Sequence, residues 1–173
     1  MATRLTDSIN SSAEIAEAAA LPCGGAVHCD PDTPPSAELQ PLPPALSRQP
    51  VEEKSEAQWA YERLILYIRN FESQLDARHE IAMGFAGGEA GILRIEGLGY
   101  FDPDIVTFYG QDEDGQKMQL VQHVTQLNVA LRAVPRAQPE EPARRIGFRL
   151  SREWDEQEGN IAPPDAGTDP AGA

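Results

Sequence analysis

The chain predicts a small α+β domain, in which one amphipathic helix precedes five or six short, bent antiparallel strands that make a partly closed barrel. Three observations carry this. Apolar residues recur at helical spacing from Ala57 to Leu75. From His79 the apolar period changes to two, in runs punctuated by glycine, proline and aspartate. At the centre, two strand-like runs flank the acidic tip Gln111-Asp112-Glu113-Asp114-Gly115, and Asp-Gly between such runs is a strong hairpin signal.

The helix starts at Ser55. Ser55-Glu56-Ala57-Gln58 matches a capping box, with a side-chain acceptor at the cap and Gln three residues later. Ala57, Ala60, Tyr61, Leu64, Ile65, Ile68, Phe71 and Leu75 then share a face. Glu62, Arg63, Arg69, Asn70, Glu72 and Ser73 fall largely opposite, and the helix should end near Asp76. Its polar side is not basic, which suits a helix covering a sheet better than one lying on a membrane.

Strands follow in order. Ile81, Met83 and Phe85 mark the first, which Gly87-Gly88 breaks, and Leu93 and Ile95 share a face of the second. Gly97 and Gly99 signal a bulge or sharp bend. Phe101-Asp102-Pro103-Asp104 reads as a turn. Ile105 to Tyr109 is β-branched and aromatic, and Met118 to Val124 alternates, giving the two arms of the hairpin. Leu127, Val129, Leu131 and Ala133 give a fifth strand ending at Pro135, although 125–133 also admits a helical reading. Arg145 to Leu150 reads as a sixth, with Ile146, Phe148 and Leu150 inward and Arg145 and Arg149 outward.

The two ends differ from the middle. Residues 1–54 and 151–173 each carry a net charge of −5, and together they hold eleven of the fifteen prolines. Such segments bury too little apolar surface to offset the entropy of ordering, so both read as disordered, acidic extensions of a 55–150 domain. Within the arm, Ala13 to Ala20 suits a transient helix. The total of −14 argues against DNA as a partner, because a phosphate backbone needs a positive footprint. No apolar run is long enough for a membrane span, and no secretory signal is visible, so a cytoplasmic protein is expected.

No cofactor is expected. Cys23, His28 and Cys29 supply three zinc-type ligands, but the spacing is wrong and a fourth is missing. The acidic tip lacks two essential ligands of a calcium loop. His28, His79 and His123 lie far apart, and no nucleophile elbow, phosphate loop or metalloprotease motif occurs, so no catalytic residue is assigned. One charge feature stands out. Arg132, Arg136, Arg144, Arg145 and Arg149 make up half of the domain's positive residues within eighteen positions. They form a candidate patch for an acidic partner, RNA included, against the simpler reading of a solvated face balanced by Glu153, Asp155, Glu156 and Glu158.

Two resemblances arise. Trp59-Ala60-Tyr61-Glu62-Arg63-Leu64, Pro103 to Gly110, Leu120 to Val124 and Ala143 to Leu150 resemble a bacterial family of uncharacterised proteins, which carries no known activity. More distantly, the leading helix, Gly99-Tyr100-Phe101-Asp102 and Val121-Gln122-His123-Val124 resemble the bacterial Sm-like RNA chaperones. That resemblance implies a helix capping a bent five-stranded Sm-like or SH3-like barrel, rings formed by strand pairing, and a Lys-His pair at an RNA pore. Here Gln122 replaces the lysine beside His123, which weakens the RNA expectation while leaving Gln122 and His123 at a pore or strand edge. The expected protein is a non-enzymatic module that acts through protein contacts and self-association; RNA binding is the alternative, and the protein partner is unassigned.

Overall fold

Ser55 caps the helix that leads the sheet. The computed structural model describes residues 24–85 and 91–159, and helix α1 occupies Glu56–Ser73. Ser55 Oγ accepts from the Gln58 amide at 3.0 Å, which satisfies one of the N–H groups left open in the first turn. The other half of the expected capping box is not formed. Gln58 Nε2 donates instead to Gln49 and to Glu62, each at 2.9 Å. Ser55 also donates to Asp102, and the Ala57 amide donates to the Pro103 carbonyl at 3.0 Å. These bonds tie the start of α1 to the turn between two strands.

Five antiparallel strands follow: β1 (His79–Phe85), β2 (Ile92–Phe101), β3 (Ile105–Gln111), β4 (Lys117–His123) and β5 (Val129–Pro135). Their order is β4-β3-β2-β1-β5. The sheet is open, which corrects the partly closed barrel, and β4 and β5 form its two edges. Residues 129–135 are a strand and not a helix.

The bend lies in β2. Its first part pairs with β1 at Met83↔Leu93 and Gly84↔Ile92. The register shifts between Ile95 and Gly97, after which β2 follows β3 from Gly97↔Tyr109 to Phe101↔Ile105. An extra residue at a bulge turns the strand and changes which side chains face inward. Inward positions are accordingly Leu93 and Ile95 before the shift and Leu98 after it. They join Ile81, Met83, Phe85, Val106 and Phe108 on the sheet, and Ile65 and Ile68 on α1, in one core. Phe85 and Phe108 meet edge-to-face, 4.9 Å between centroids, an arrangement that suits the quadrupoles of two rings.

The hairpin tip forms as its sequence predicts. Asp112 Oδ1 accepts from the amides of Asp114 and Gln116, and Gly115 takes a φ of 78° that side-chain-bearing residues disfavour.

Two expectations need correction. The sixth strand is absent: Ile146–Gly159 is a helix, α2, which also runs through residues assigned to the tail. Ile146, Gly147, Leu150 and Ser151 are buried while Phe148 is exposed, a period of 3.6 rather than 2. Helix α2 packs on α1 and on β2, beside the stretch where β2 departs from β1. Glu62 and Glu72, placed on the polar side of α1, are buried as well.

The arm contributes to the domain before Ser55. A single helical turn, Pro44–Ser47, puts Leu46 into the core. Tyr67 donates to Glu38 at 2.6 Å and Gln40 to Asn70 at 2.6 Å, fixing the preceding residues along α1. The phenol's hydrogen bond holds the Glu38 carboxyl below its ordinary range, and the same bond raises the Tyr67 phenol. Ala13 to Ala20, Cys23 and Gly87-Gly88 lie outside the described residues.

Candidate interaction surface

Hydrogen-bonded and open pairs alternate along an antiparallel ladder, so one known bond sets the state of every later pair. At one end of the β3–β4 ladder the Asp112 amide donates to the Gln116 carbonyl at 3.0 Å. At the other end the Val124 amide donates to the Asp104 carbonyl at 2.8 Å. Both place Gly110↔Met118, Phe108↔Leu120 and Val106↔Gln122 in the bonded class. Lys117, Gln119 and Val121 therefore turn their backbone N–H and C=O groups away from β3, toward the open side of β4.

The same argument applies to β5. The Arg136 amide donates to the Arg78 carbonyl at 3.1 Å, so Glu80↔Val134, Ala82↔Arg132 and Gly84↔Ala130 are the bonded pairs. Val129, Leu131 and Ala133 are left with open backbone groups. Each edge thus presents three alternate residues whose hydrogen bonds have no strand partner among the described residues, a combination that favours pairing with another chain.

The side chains differ between the edges. Lys117, Gln119 and Val121 stand on the outer face of the sheet, in register with Gln111, Tyr109 and Thr107. Tyr109 lies across Gly97, whose added Cβ would sit 3.5 Å from the tyrosine. This outer face carries exposed apolar side chains among its polar ones: Val121 is 57% and Phe101 76% exposed. Val129 and Leu131 share the core-facing side with Phe85 and Met83 and are partly buried.

His123 ends β4 with both ring nitrogens in hydrogen bonds. Its Nδ1 accepts from the Thr125 amide at 3.2 Å, so the ring proton belongs on Nε2, which lies 3.0 Å from Asp104 Oδ2. With Gln126 it caps the short 3₁₀ turn Val124–Gln126 that leads into β5. Gln122 points to the other side, its Oε1 buried and without a hydrogen-bond partner among the described residues.

The five arginines are adjacent in sequence and divided in space. Arg136 donates to the carbonyls of Pro139 and Glu141 and so closes its own loop. Arg144 donates through its amide to Glu80 and through its guanidinium to Glu96, both at 3.0 Å. Arg145 donates to the carbonyls of Asp76 at 2.8 Å and His79 at 3.1 Å. Arg132, on β5, and Arg149, on α2, are exposed and have no such partner among the described residues.

A cavity of about 360 Å³ between the arm and α1 has no counterpart in the sequence reading; Trp59, Tyr67, Glu38 and Leu42 line it. Lys54 and Arg63 both lie over the Trp59 ring, at 4.9 and 4.3 Å. Of these residues only Arg63 was placed on a helix face from the sequence. Their meeting with the arm was not visible there.

A family model described as a family of unknown function, DUF6173, matches residues 49–149, which span β1 to β5, α1 and the first turn of α2. No curated protein and no solved structure matches the chain.

Proposed function

We propose that this chain, which belongs to that family of unknown function, is a non-enzymatic module that self-associates by pairing β4 of one copy with β5 of the next. The observation that supports the reading is the pair of open edges, one on each side of a single five-stranded sheet. Pairing of two different edges is heterologous, and it gives a ring if the rotation between copies closes. In such a pair the open groups of Lys117, Gln119 and Val121 meet those of Val129, Leu131 and Ala133. Opposite residues of an antiparallel pair share a face. The outer side chains of β4 would then lie beside the core-facing side chains of β5, and exposed Val121 would gain apolar neighbours.

The leading helix, the bent five-stranded sheet and the short turn before its last strand support an Sm-like fold relationship, with the sheet left open in the single chain. Catalysis has little to use here: His123 is committed to Asp104 and to a turn, and three of the five arginines are committed to carbonyls or carboxylates. The composition favours action in the cytoplasm, and no helix among the described residues is long and apolar enough to cross a membrane.

Two proline substitutions test the pairing. Val121→Pro and Ala133→Pro each remove an open edge N–H, where proline is tolerated within a strand. Each variant alone should be monomeric, because each lacks one of the two edges. Mixed, they should give a one-to-one dimer through the edges that remain. A variant that keeps the wild-type mass, or a mixture that stays monomeric while wild type associates, rejects β4–β5 pairing.

A further inference from the structure

We infer that Glu72 is a proton-controlled latch that holds helix α2 against the domain. Its carboxylate lies between the two helices at the first turn of α2. Oε2 accepts from the Gly147 amide at 2.8 Å, whereas Oε1 is buried with no hydrogen-bond partner among the described residues. The side chain is one of the largest that the domain fully encloses.

The fit is close. A Cβ on Gly147 would stand 2.7 Å from Glu72 Oε2 and 2.8 Å from the Arg69 Cα, so α2 reaches the carboxylate only through a bare backbone. Positive charge near it comes from Arg145, whose guanidinium is bonded to the carbonyls of Asp76 and His79. On its own helix Arg69 lies one turn earlier, and Asp76, in the loop between α1 and β1, is exposed and bonded to His79. From the strand side His79 offers its carbonyl to Arg145.

An ionised carboxylate with one oxygen unsatisfied is costly to bury, and a neutral one is much less so. Burial outweighs the Gly147 amide, the charge of Arg145 and the Ile146 and Phe148 amides, all of which favour the ionised form, and leaves the Glu72 carboxyl raised to about 7. When α2 swings away, Glu72 meets water and returns toward its ordinary 4.5. The docked form therefore binds the proton more tightly than the open form. Docking is strongest below about 4.5, weakens as pH rises toward about 7, and levels off above that. Opening exposes the buried Ile146 and Leu150 of α2 and the side of β2 at Leu98 that they line, so α2 is a cover whose grip loosens as pH rises toward neutrality.

Hydrogen exchange of the full chain tests this, with the α2 amides read against those of β3 after correction for the intrinsic pH dependence of exchange. Between pH 5.5 and 6.5 the protection of α2 relative to β3 should fall by up to about tenfold. Glu72→Gln, neutral at every pH, should show no such slope. Arg145→Gln removes a charge that favours ionisation and should move the transition to higher pH. A flat wild-type profile, or an equal slope in Glu72→Gln, overturns the latch. If Glu72→Gln fails to fold, an unmoved transition in Arg145→Gln does the same.

Discussion

Lys54 Nζ lies 2.6 Å from Glu62 Oε2, with both side chains almost fully buried. The same ammonium donates to the Leu46 carbonyl at 2.6 Å, and Gln58 Nε2 donates to the other Glu62 oxygen at 2.9 Å. The pair thus joins the arm to α1, with the ammonium and both carboxylate oxygens hydrogen-bonded. Removing one partner strands a buried charge, which is more damaging than losing both. Lys54→Met should lower unfolding stability by about 3 kcal/mol, and the double variant Lys54→Met, Glu62→Leu should regain most of it. Urea denaturation of the two proteins measures both.

Gly147 has no room for a methyl group beside Glu72 and Arg69. Gly147→Ala should destabilise the protein by about 2 kcal/mol, because the neighbours are a backbone and a buried carboxylate that cannot step aside. Alanine is otherwise the better helix residue, so a protein as stable as wild type in thermal unfolding would contradict the packing described for α2.

Leu46 lies ahead of the residues that the family model matches, yet it belongs to the core. Leu46→Ala should cost about 2 kcal/mol in chemical denaturation. An unchanged midpoint would show that the turn at Pro44–Ser47 adds nothing to the folded domain.

Local chemistry accounts for what the sequence revealed. The Ser55 cap, the Asp112–Gly115 tip and the alternation in Ile81, Met83 and Phe85 each rest on residues within a few positions of one another. The failures depended on distant partners. Ile146, Phe148 and Leu150 alternate like a strand, but Ile146 and Leu150 are also one helical turn apart. Gly147 fitting against Glu72 favours the helix, and no local pattern reports that contact. Glu72 stands one turn beyond Ile68 on the apolar stripe of α1, a placement visible in the spacing but overridden by its charge. The arginine cluster misled differently, since proximity along the chain did not reveal that Asp76, His79, Pro139 and Glu141 would take up the guanidinium groups of Arg145 and Arg136. The bent sheet was legible; the order of its strands, and hence its edges, required the structure.

Within the arginine cluster, RNA contacts fall first to Arg132 and Arg149, which are exposed and lie on different elements. Short uridine- and adenine-rich strands should show no binding at moderate salt in a fluorescence titration. Binding that weakens steeply with salt, and further in the Arg132→Gln, Arg149→Gln double variant, would favour an RNA-binding role instead.

Light scattering on the wild-type chain at tens of micromolar tests self-association most directly. The edges left open on β4 and β5 predict a mass that is a multiple of 18.9 kDa and that falls to the single-chain value in Val121→Pro. A wild-type protein that remains at 18.9 kDa across that range would contradict assembly through these edges.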